Sequence, residues 1–265
     1  MTEIKLVALD LDGTMLEWDK TILPELREAL IKLSKKGIKV TTASGRPLSD
    51  QVKYLNANKL GACARVPHAL IANEQEIYFL VDKGYRPYLE HYLKIEREWK
   101  RLLPSIMRLL EEAEKELKER GFNVKIWVSE EIACERHLAG LKFESPEEAR
   151  WAEKYLNEKI RERSLKLKCS RVWALLQVIL SSAGKGETLR ELADYWRIDY
   201  NEVLCVGDCV HDLDMLDSEY GFIPATVSNA VEEVKEVVLR KGGYVSPFSC
   251  GKGVLDILKK YRLIE

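Results

Sequence analysis

Ile4, Leu6, Val7, Ala8 and Leu9 form a near-continuous apolar run that stops at Asp10-Leu11-Asp12-Gly13-Thr14. Such a run predicts a central strand of a parallel sheet, buried on both faces. The two aspartates then fall at its C-terminal end, the edge where open α/β sheets bind ligands. Asp12-Gly13 also fits a plain reversal of the chain, and only partners from distant segments separate the two readings. Pro24 opens a helical pattern through Leu26, Ala29, Leu30 and Leu33, stopped by Gly37. A second strand, Ile38 to Ala43, ends in Ser44-Gly45-Arg46-Pro47, and Pro47 starts a helix reaching about Asn58. Ala69 to Ala72 and Ile77 to Val81 predict a third strand and a hairpin.

From about Asp82 the grammar changes. Tyr88 to Arg120 carries apolar residues at helical spacing, with a break expected at Pro104. Strand-like segments at 123–128 and 138–143, a helix opened by Ser145-Pro146-Glu147-Glu148, and strands at 164–169 and 172–180 follow. That order predicts an antiparallel sheet with helices on one face, its core supplied by Trp99, Trp127, Trp151 and Trp173. The α/β pattern resumes at Gly184-Lys185-Gly186, ahead of a helix from Glu187 to Trp196. Strand Glu202 to Val206 ends in Gly207-Asp208-Cys209-Val210-His211-Asp212. A short strand at Gly221 to Pro224 comes next, then a helix Ala230 to Leu239 for which Asn229 is a candidate cap. Tyr244-Val245 reads as a last strand and Gly251 to Lys260 as a last helix. The fold class is therefore α/β: a Rossmann-like parallel sheet with helices on both faces, residues 1–82 and 183–265, interrupted by an α+β domain at residues 83–182.

Composition narrows the partners. At 265 residues and 46% hydrophobic content, the chain has enough apolar surface for two domains. A formal charge of −1 supplies no global field for nucleic acid or for an anionic membrane. No apolar run approaches the roughly 20 residues that span a bilayer, and no basic start leads into an apolar segment. The expectation is a cytoplasmic protein with no nucleic-acid or membrane partner. Its six cysteines are scattered, with neither a C-x-x-C pair nor a zinc spacing. Only Cys205 and Cys209, with His211 near in sequence, raise the question of thiol chemistry.

Three strand ends and a helix start thus offer Asp10, Asp12, Ser44, Lys185, Asp208 and Asp212. Carboxylates converging on one edge repel one another unless a divalent cation sits among them, and hard oxygen donors suit Mg²⁺. Aspartate is a known covalent nucleophile toward phosphorus. Phosphoryl transfer further needs positive charge, hydroxyl or amide donors and an in-line nucleophile.

The chain resembles the haloacid dehalogenase (HAD) superfamily phosphatases with the larger α+β cap (type IIB, Cof-like). Asp10-Leu11-Asp12-Gly13-Thr14 matches the first motif and Ser44-Gly45-Arg46-Pro47 the second. Lys185-Gly186 matches the third, and Gly207-Asp208 through Asp212-Leu213-Asp214-Met215-Leu216 the fourth. The resemblance implies that Asp10 attacks phosphorus, while Asp12 protonates the leaving alkoxide and then activates water. It implies that Ser44 and Lys185 hold the phosphoryl group, with Asn229 contributing nearby. It further implies that Asp10, the Asp12 carbonyl, Asp208 and Asp212 bind Mg²⁺, with Gly45, Arg46 and His211 just behind these groups. The chain departs from the family at Cys209 and His211, where serine and asparagine are usual, and at Asn73-Glu74-Gln75-Glu76, where Asn-Gly-Ala is usual. Tyr78, Trp99, Gly243-Tyr244-Val245-Ser246 and Gly253-Val254 resemble sucrose-phosphatase-like members. The function expected is Mg²⁺-dependent hydrolysis of a small phosphate ester, most naturally a sugar phosphate. A hexose phosphate mutase and a non-catalytic sugar-phosphate-binding regulator are the alternatives.

Overall fold

The computed structural model describes residues 3–217 and 220–265. Its first half-sheet follows the apolar runs: β1 (Leu6–Leu9), α1 (Pro24–Lys35), β2 (Lys39–Ala43), α2 (Leu48–Ala57), β3 (Ala69–Ala72), β4 (Glu76–Val81) and β5 (Gly84–Pro87). A second unit comprises α3 (Leu89–Glu119), β6 (Lys125–Ile126), α4 (Glu130–Arg136), β7 (Ala139–Lys142), α5 (Pro146–Glu162), β8 (Leu167–Val172) and β9 (Leu175–Leu180). The chain then returns as α6 (Lys185–Trp196), β10 (Val203–Gly207), α7 (Leu213–Leu216), β11 (Ile223–Thr226), α8 (Glu232–Arg240), β12 (Tyr244–Val245) and α9 (Cys250–Lys260).

The larger unit, residues 1–89 and 185–265, is built on an eight-stranded sheet in the order β12-β11-β10-β1-β2-β3-β4-β5. Pairing is parallel from β12 to β3, and β4 and β5 turn back antiparallel at one edge. β1 lies between β2 and β10, and all four of its residues are buried. Its side chains alternate between two cores. Val7 and Leu9 pack with Leu26, Leu30 and Leu33 of α1, Leu55 of α2, and Val254, Ile257 and Leu258 of α9. Leu6 and Ala8 pack with Leu189 and Leu192 of α6, Met215 of α7, and Val234 and Val238 of α8. Burial on both faces explains why the run shows no polar alternation. Residues 84–87, assigned to the insertion from sequence, belong to this sheet as β5.

The smaller unit, residues 90–184, is an antiparallel sheet in the order β6-β7-β9-β8 with its own core. Here α3 runs unbroken through Pro104. Pro104 is exposed, on the solvent side of the helix. Trp99 is fully buried in this core beside Ile106 and Leu110, and Trp127 packs partly against it. The other two tryptophans are not core residues. Trp151 is 43% exposed, stacked between Phe122 and Tyr155, and Trp173 is 70% exposed at the β8–β9 turn with φ 53°. The short helix α4, absent from the sequence reading, is capped by Ser129, which accepts from the Ile132 amide. Among the described residues, no helix is long and apolar enough to cross a membrane.

Candidate active site

The carboxyl edge of the large sheet collects the residues singled out above. The Asp10 amide continues the ladder from β1 onto the Val206 carbonyl at 2.9 Å, and the Ser44 amide does the same from β2 onto Ile71 at 3.0 Å. Asp208 follows β10 directly, and Lys185 is the first residue of α6. From there the Lys185 ammonium reaches Asp10 Oδ1 and Asp212 Oδ1, each at 2.6 Å. All three groups are buried. Asp212 Oδ2 accepts from the Asp208 amide at 2.8 Å and the Cys209 amide at 3.0 Å, which folds the acidic loop back on itself. Gly207 permits that return, since a Cβ there would lie 2.4 Å from the Asp212 Cβ. Gly13 has φ +77°, and a Cβ on it would meet Asp208 Oδ2 at 2.5 Å. Asp208 is further held by the Thr14 hydroxyl, which donates to Oδ1 at 3.0 Å.

Three carboxylates here face one ammonium, and their electrostatics show the surplus. Burial pushes Asp10 up to about 8, with Lys185 opposing and Asp212 adding to the rise. Burial and the neighbouring Asp212 push Asp208 up to about 6. Lys185 pays a burial penalty, yet Asp10 and Asp212 hold it well above its ordinary value, so it stays charged. A divalent cation among these oxygens removes the excess negative charge, and an all-carboxylate set fits a hard ion such as Mg²⁺. Asp208, Asp212 and Cys209 have ligand atoms within 4.8 Å of one another. The Cys209 thiol is a soft donor, so the carboxylate oxygens are the ones that match a hard ion.

Asp12 is brought to the same edge but faces a different set of groups. Arg46 donates from Nε to Oδ2 at 2.5 Å and from Nη2 to Oδ1 at 2.9 Å, and Lys20 donates to Oδ1 at 2.7 Å. Burial works against the charged form, but these hydrogen bonds hold its carboxyl below the usual carboxylate range. Ser44 is buried, its hydroxyl accepting from the Arg46 amide at 3.2 Å. Gly45 leaves room for Glu74, whose Oε1 would lie 3.3 Å from a Cβ at that position.

Asn229 is not a helix cap. α8 starts at Glu232 with Val231 before it and no side-chain cap. Asn229 instead donates to the Gly13 carbonyl at 2.8 Å and toward Asp208 Oδ2 at 3.4 Å, while its Oδ1 accepts from the Cys250 amide at 2.8 Å. It ties the loop after β11 to the loop after β1. His211, the second departure in the fourth motif, pairs with Glu74. Lys20, Thr14 and Glu74 were not singled out as site residues from the sequence. A lone cation in a loop or a threonine beside an Asp-Gly pair carries no pattern of its own.

Two family descriptions match the chain: haloacid dehalogenase-like hydrolase over residues 7–79, and sucrose-6F-phosphate phosphohydrolase over residues 143–262. The chain is 23% identical to the 5-amino-6-(5-phospho-D-ribitylamino)uracil phosphatase YitU of Bacillus subtilis, over 98% of each chain. It is also 23% identical to the phosphoglycolate phosphatase of Thermoplasma volcanium, over 98% of this chain and 100% of the relative. Among solved structures, the sucrose-phosphatase of Synechocystis sp. PCC6803, in complex with sucrose and phosphate, superposes with a TM-score of 0.73. That match has 17% identity and covers 98% of each chain, so it speaks for the fold.

Proposed function

We propose that this chain, which belongs to the haloacid dehalogenase-like hydrolases and is a phosphatase, hydrolyses a small sugar phosphate through a phosphorylated Asp10. The observation that carries the reading is the buried Lys185 ammonium bridging Asp10 and Asp212 at 2.6 Å each, with Asp208 beside them. Asp10 Oδ1 is taken by Lys185, which leaves Oδ2 to attack. In the first step the Oδ2–P bond forms and the P–O bond to the sugar breaks, while Asp12, protonated from solvent once its contacts with Lys20 and Arg46 open, gives that proton to the departing alkoxide. In the second step Asp12 takes a proton from water, the water oxygen bonds to phosphorus, and the Oδ2–P bond breaks. Inorganic phosphate leaves and the Asp10 carboxylate is restored.

Mg²⁺, when bound, neutralises charge on the phosphoryl oxygens. Asp10, Asp208, Asp212 and the Asp12 carbonyl would hold it. Ser44 and Lys185 present a hydroxyl and an ammonium to the transferring group. Asn229 acts by keeping the Gly13 carbonyl and Asp208 in place. The similarity of residues 143–262 to sucrose-6F-phosphate phosphohydrolase supports a sugar phosphate over other small esters. The test is phosphate release from a panel of sugar phosphates, with phosphoglycolate and ribitylaminouracil phosphate included, in Mg²⁺ and in EDTA. Release confined to Mg²⁺ and to sugar phosphates, with no bisphosphate activator required, is the expected result. Silence on every small ester overturns the reading.

A further inference from the structure

The opposite edge of the large sheet, where its parallel strands begin, holds a cavity of about 680 Å³, within the usual range of small-ligand sites. Lys39 opens β2 there, His68 stands just before β3, and Phe79 of β4 pairs with Ala69. Trp196 closes α6, so the helix that begins at Lys185 ends at this cavity, about 17 Å further on. Among the described residues no Asp or Glu lines it, although 43 of the chain's 265 residues are acidic. Its charged walls are Lys35, Lys39 and Arg65. α1 and α6 both end beside it, and their C-terminal dipoles offset about one unit of that charge. A surplus of about two positive charges remains.

A hydroxyl and a set of rings line the same space. The His68 Nδ1 accepts from the Val40 amide at 3.0 Å, and burial, with Lys39 and Arg65, keeps the imidazole neutral, so its proton is on Nε2. Nε2 lies 3.1 Å from the Ser34 hydroxyl and donates to it. The Ser34 proton has no acceptor among the described residues, which leaves it to a ligand oxygen. Tyr195 stacks on Phe79 with ring centroids 4.4 Å apart, yet 51% of it stays exposed. Lys39 Nζ lies 5.6 Å from the centre of the Trp196 ring. Open rings of this kind are ledges on which a flat aromatic group stacks.

We infer that this cavity binds a nucleoside monophosphate, its phosphate held by Lys39, Arg65 and Ser34 and its base laid against Tyr195. A phosphate monoester carries a charge of about −1.5 to −2 near neutral pH, which matches the surplus. The base accounts for rings that a bare anion would leave uncovered. A cavity of this volume takes one nucleotide, whereas a nucleic-acid strand needs a groove that continues. The site stands apart from the acids at the other edge and does not rest on the hydrolytic reading.

Equilibrium dialysis of AMP against the full chain, in EDTA to stop turnover, tests this. One equivalent should bind saturably. Lys39→Met and Arg65→Met should each weaken binding about tenfold or more, by loss of a charge-assisted contact. Tyr195→Ala should weaken it about fivefold or more, by loss of stacking. All three side chains are at least partly exposed, so these variants keep the fold. Ribose 5-phosphate, which lacks the base, should displace bound AMP at least about fivefold less well than AMP itself. Asp10→Asn should change AMP binding by less than about twofold, because the two edges are far apart. No saturable binding overturns the inference. Binding lost in Asp10→Asn and spared by Lys39→Met and Arg65→Met puts the nucleotide among the acids and overturns it as well. Ribose 5-phosphate displacing AMP as well as AMP does reduces the cavity to an anion subsite, and oligoadenylate displacing it better makes the cavity part of a strand site; either overturns the nucleoside monophosphate.

Discussion

His211 Nδ1 lies 2.9 Å from Glu74 Oε1, joining two positions 137 residues apart. Each is a place where this chain departs from the usual motif of the family it resembles, and the two departures meet. Glu74 is fastened on either side: its amide donates to the Ser44 carbonyl at 3.0 Å, and its carbonyl accepts from the Thr188 hydroxyl at 2.9 Å. The pair therefore links the second and fourth motifs behind the acids. A double-mutant cycle of Glu74→Gln and His211→Asn should show it. Each single change is expected to destabilise by about 1 kcal/mol, since it weakens a hydrogen bond between two largely buried side chains. The double change should cost less than the sum by at least about 0.5 kcal/mol, read from thermal unfolding. Strict additivity would mean that the two side chains do not cooperate.

The Lys185 bridge makes a prediction about charge. Lys185→Met leaves Asp10 and Asp212 buried without their cation, a loss of about 3–5 kcal/mol for a pair of this kind. Asp10→Asn removes the attacking oxygen, and phosphate release should fall by at least ~10³-fold while the fold is kept. Circular dichroism and phosphate release on both variants distinguish the stability effect from the chemical one.

Mg²⁺ should raise the thermal midpoint of the parent protein. A ligand at 100 times its dissociation constant adds about 2.7 kcal/mol to the folded state. Asp208→Asn should remove most of that rise, whereas His68→Gln, away from the acids, should leave it intact. A midpoint indifferent to Mg²⁺ in the parent would argue that the carboxylate cluster takes no cation.

His68 provides a pH dependence whose sign can be worked out. The Val40 amide donates to its Nδ1 at 3.0 Å, so that nitrogen carries no proton, and Nε2 lies 3.1 Å from the Ser34 hydroxyl. Burial lowers the imidazole below its ordinary value, and Lys39 and Arg65 add to the effect. The unfolded chain, titrating near about 6.5, binds a proton that the folded chain refuses. Stability from His68 is therefore complete above that pH and is lost as pH falls toward the folded value. The gap in thermal midpoint between the parent and His68→Gln should narrow from pH 7.5 to pH 5.5. A constant gap would contradict this.

Much of the candidate site's placement was legible because apolar runs end where its polar residues begin. Parallel pairing brings the ends of β1, β2 and β10 to one edge: Leu9 stands opposite Thr42 and Val206, so Ser44 and Asp208 fall one residue beyond the level of Asp10. What could not be read depends on which side chain fills which space. Trp99 and Trp173 look alike in sequence, yet one is buried at helical spacing and the other sits on a two-residue turn. Trp99→Ala should cost about 3–5 kcal/mol in the smaller unit and Trp173→Ser next to nothing, which thermal unfolding would show. Asn229 misled for a similar reason: its type suits a helix start, but Gly13 and Cys250 claim its amide and carbonyl first. Pro104 misled because a proline on a solvent-facing side of a long helix does not break it.

β1 has interior on both of its faces, and that makes it a ruler. Inserting or deleting one residue between Ile4 and Asp10 would exchange Leu6 and Ala8 with Val7 and Leu9 across the sheet. It would also move Asp10 by one strand rise, about 3.3 Å, more than its 2.6 Å contact with Lys185 could survive. Length variants of this segment should therefore be lost from any library selected for activity.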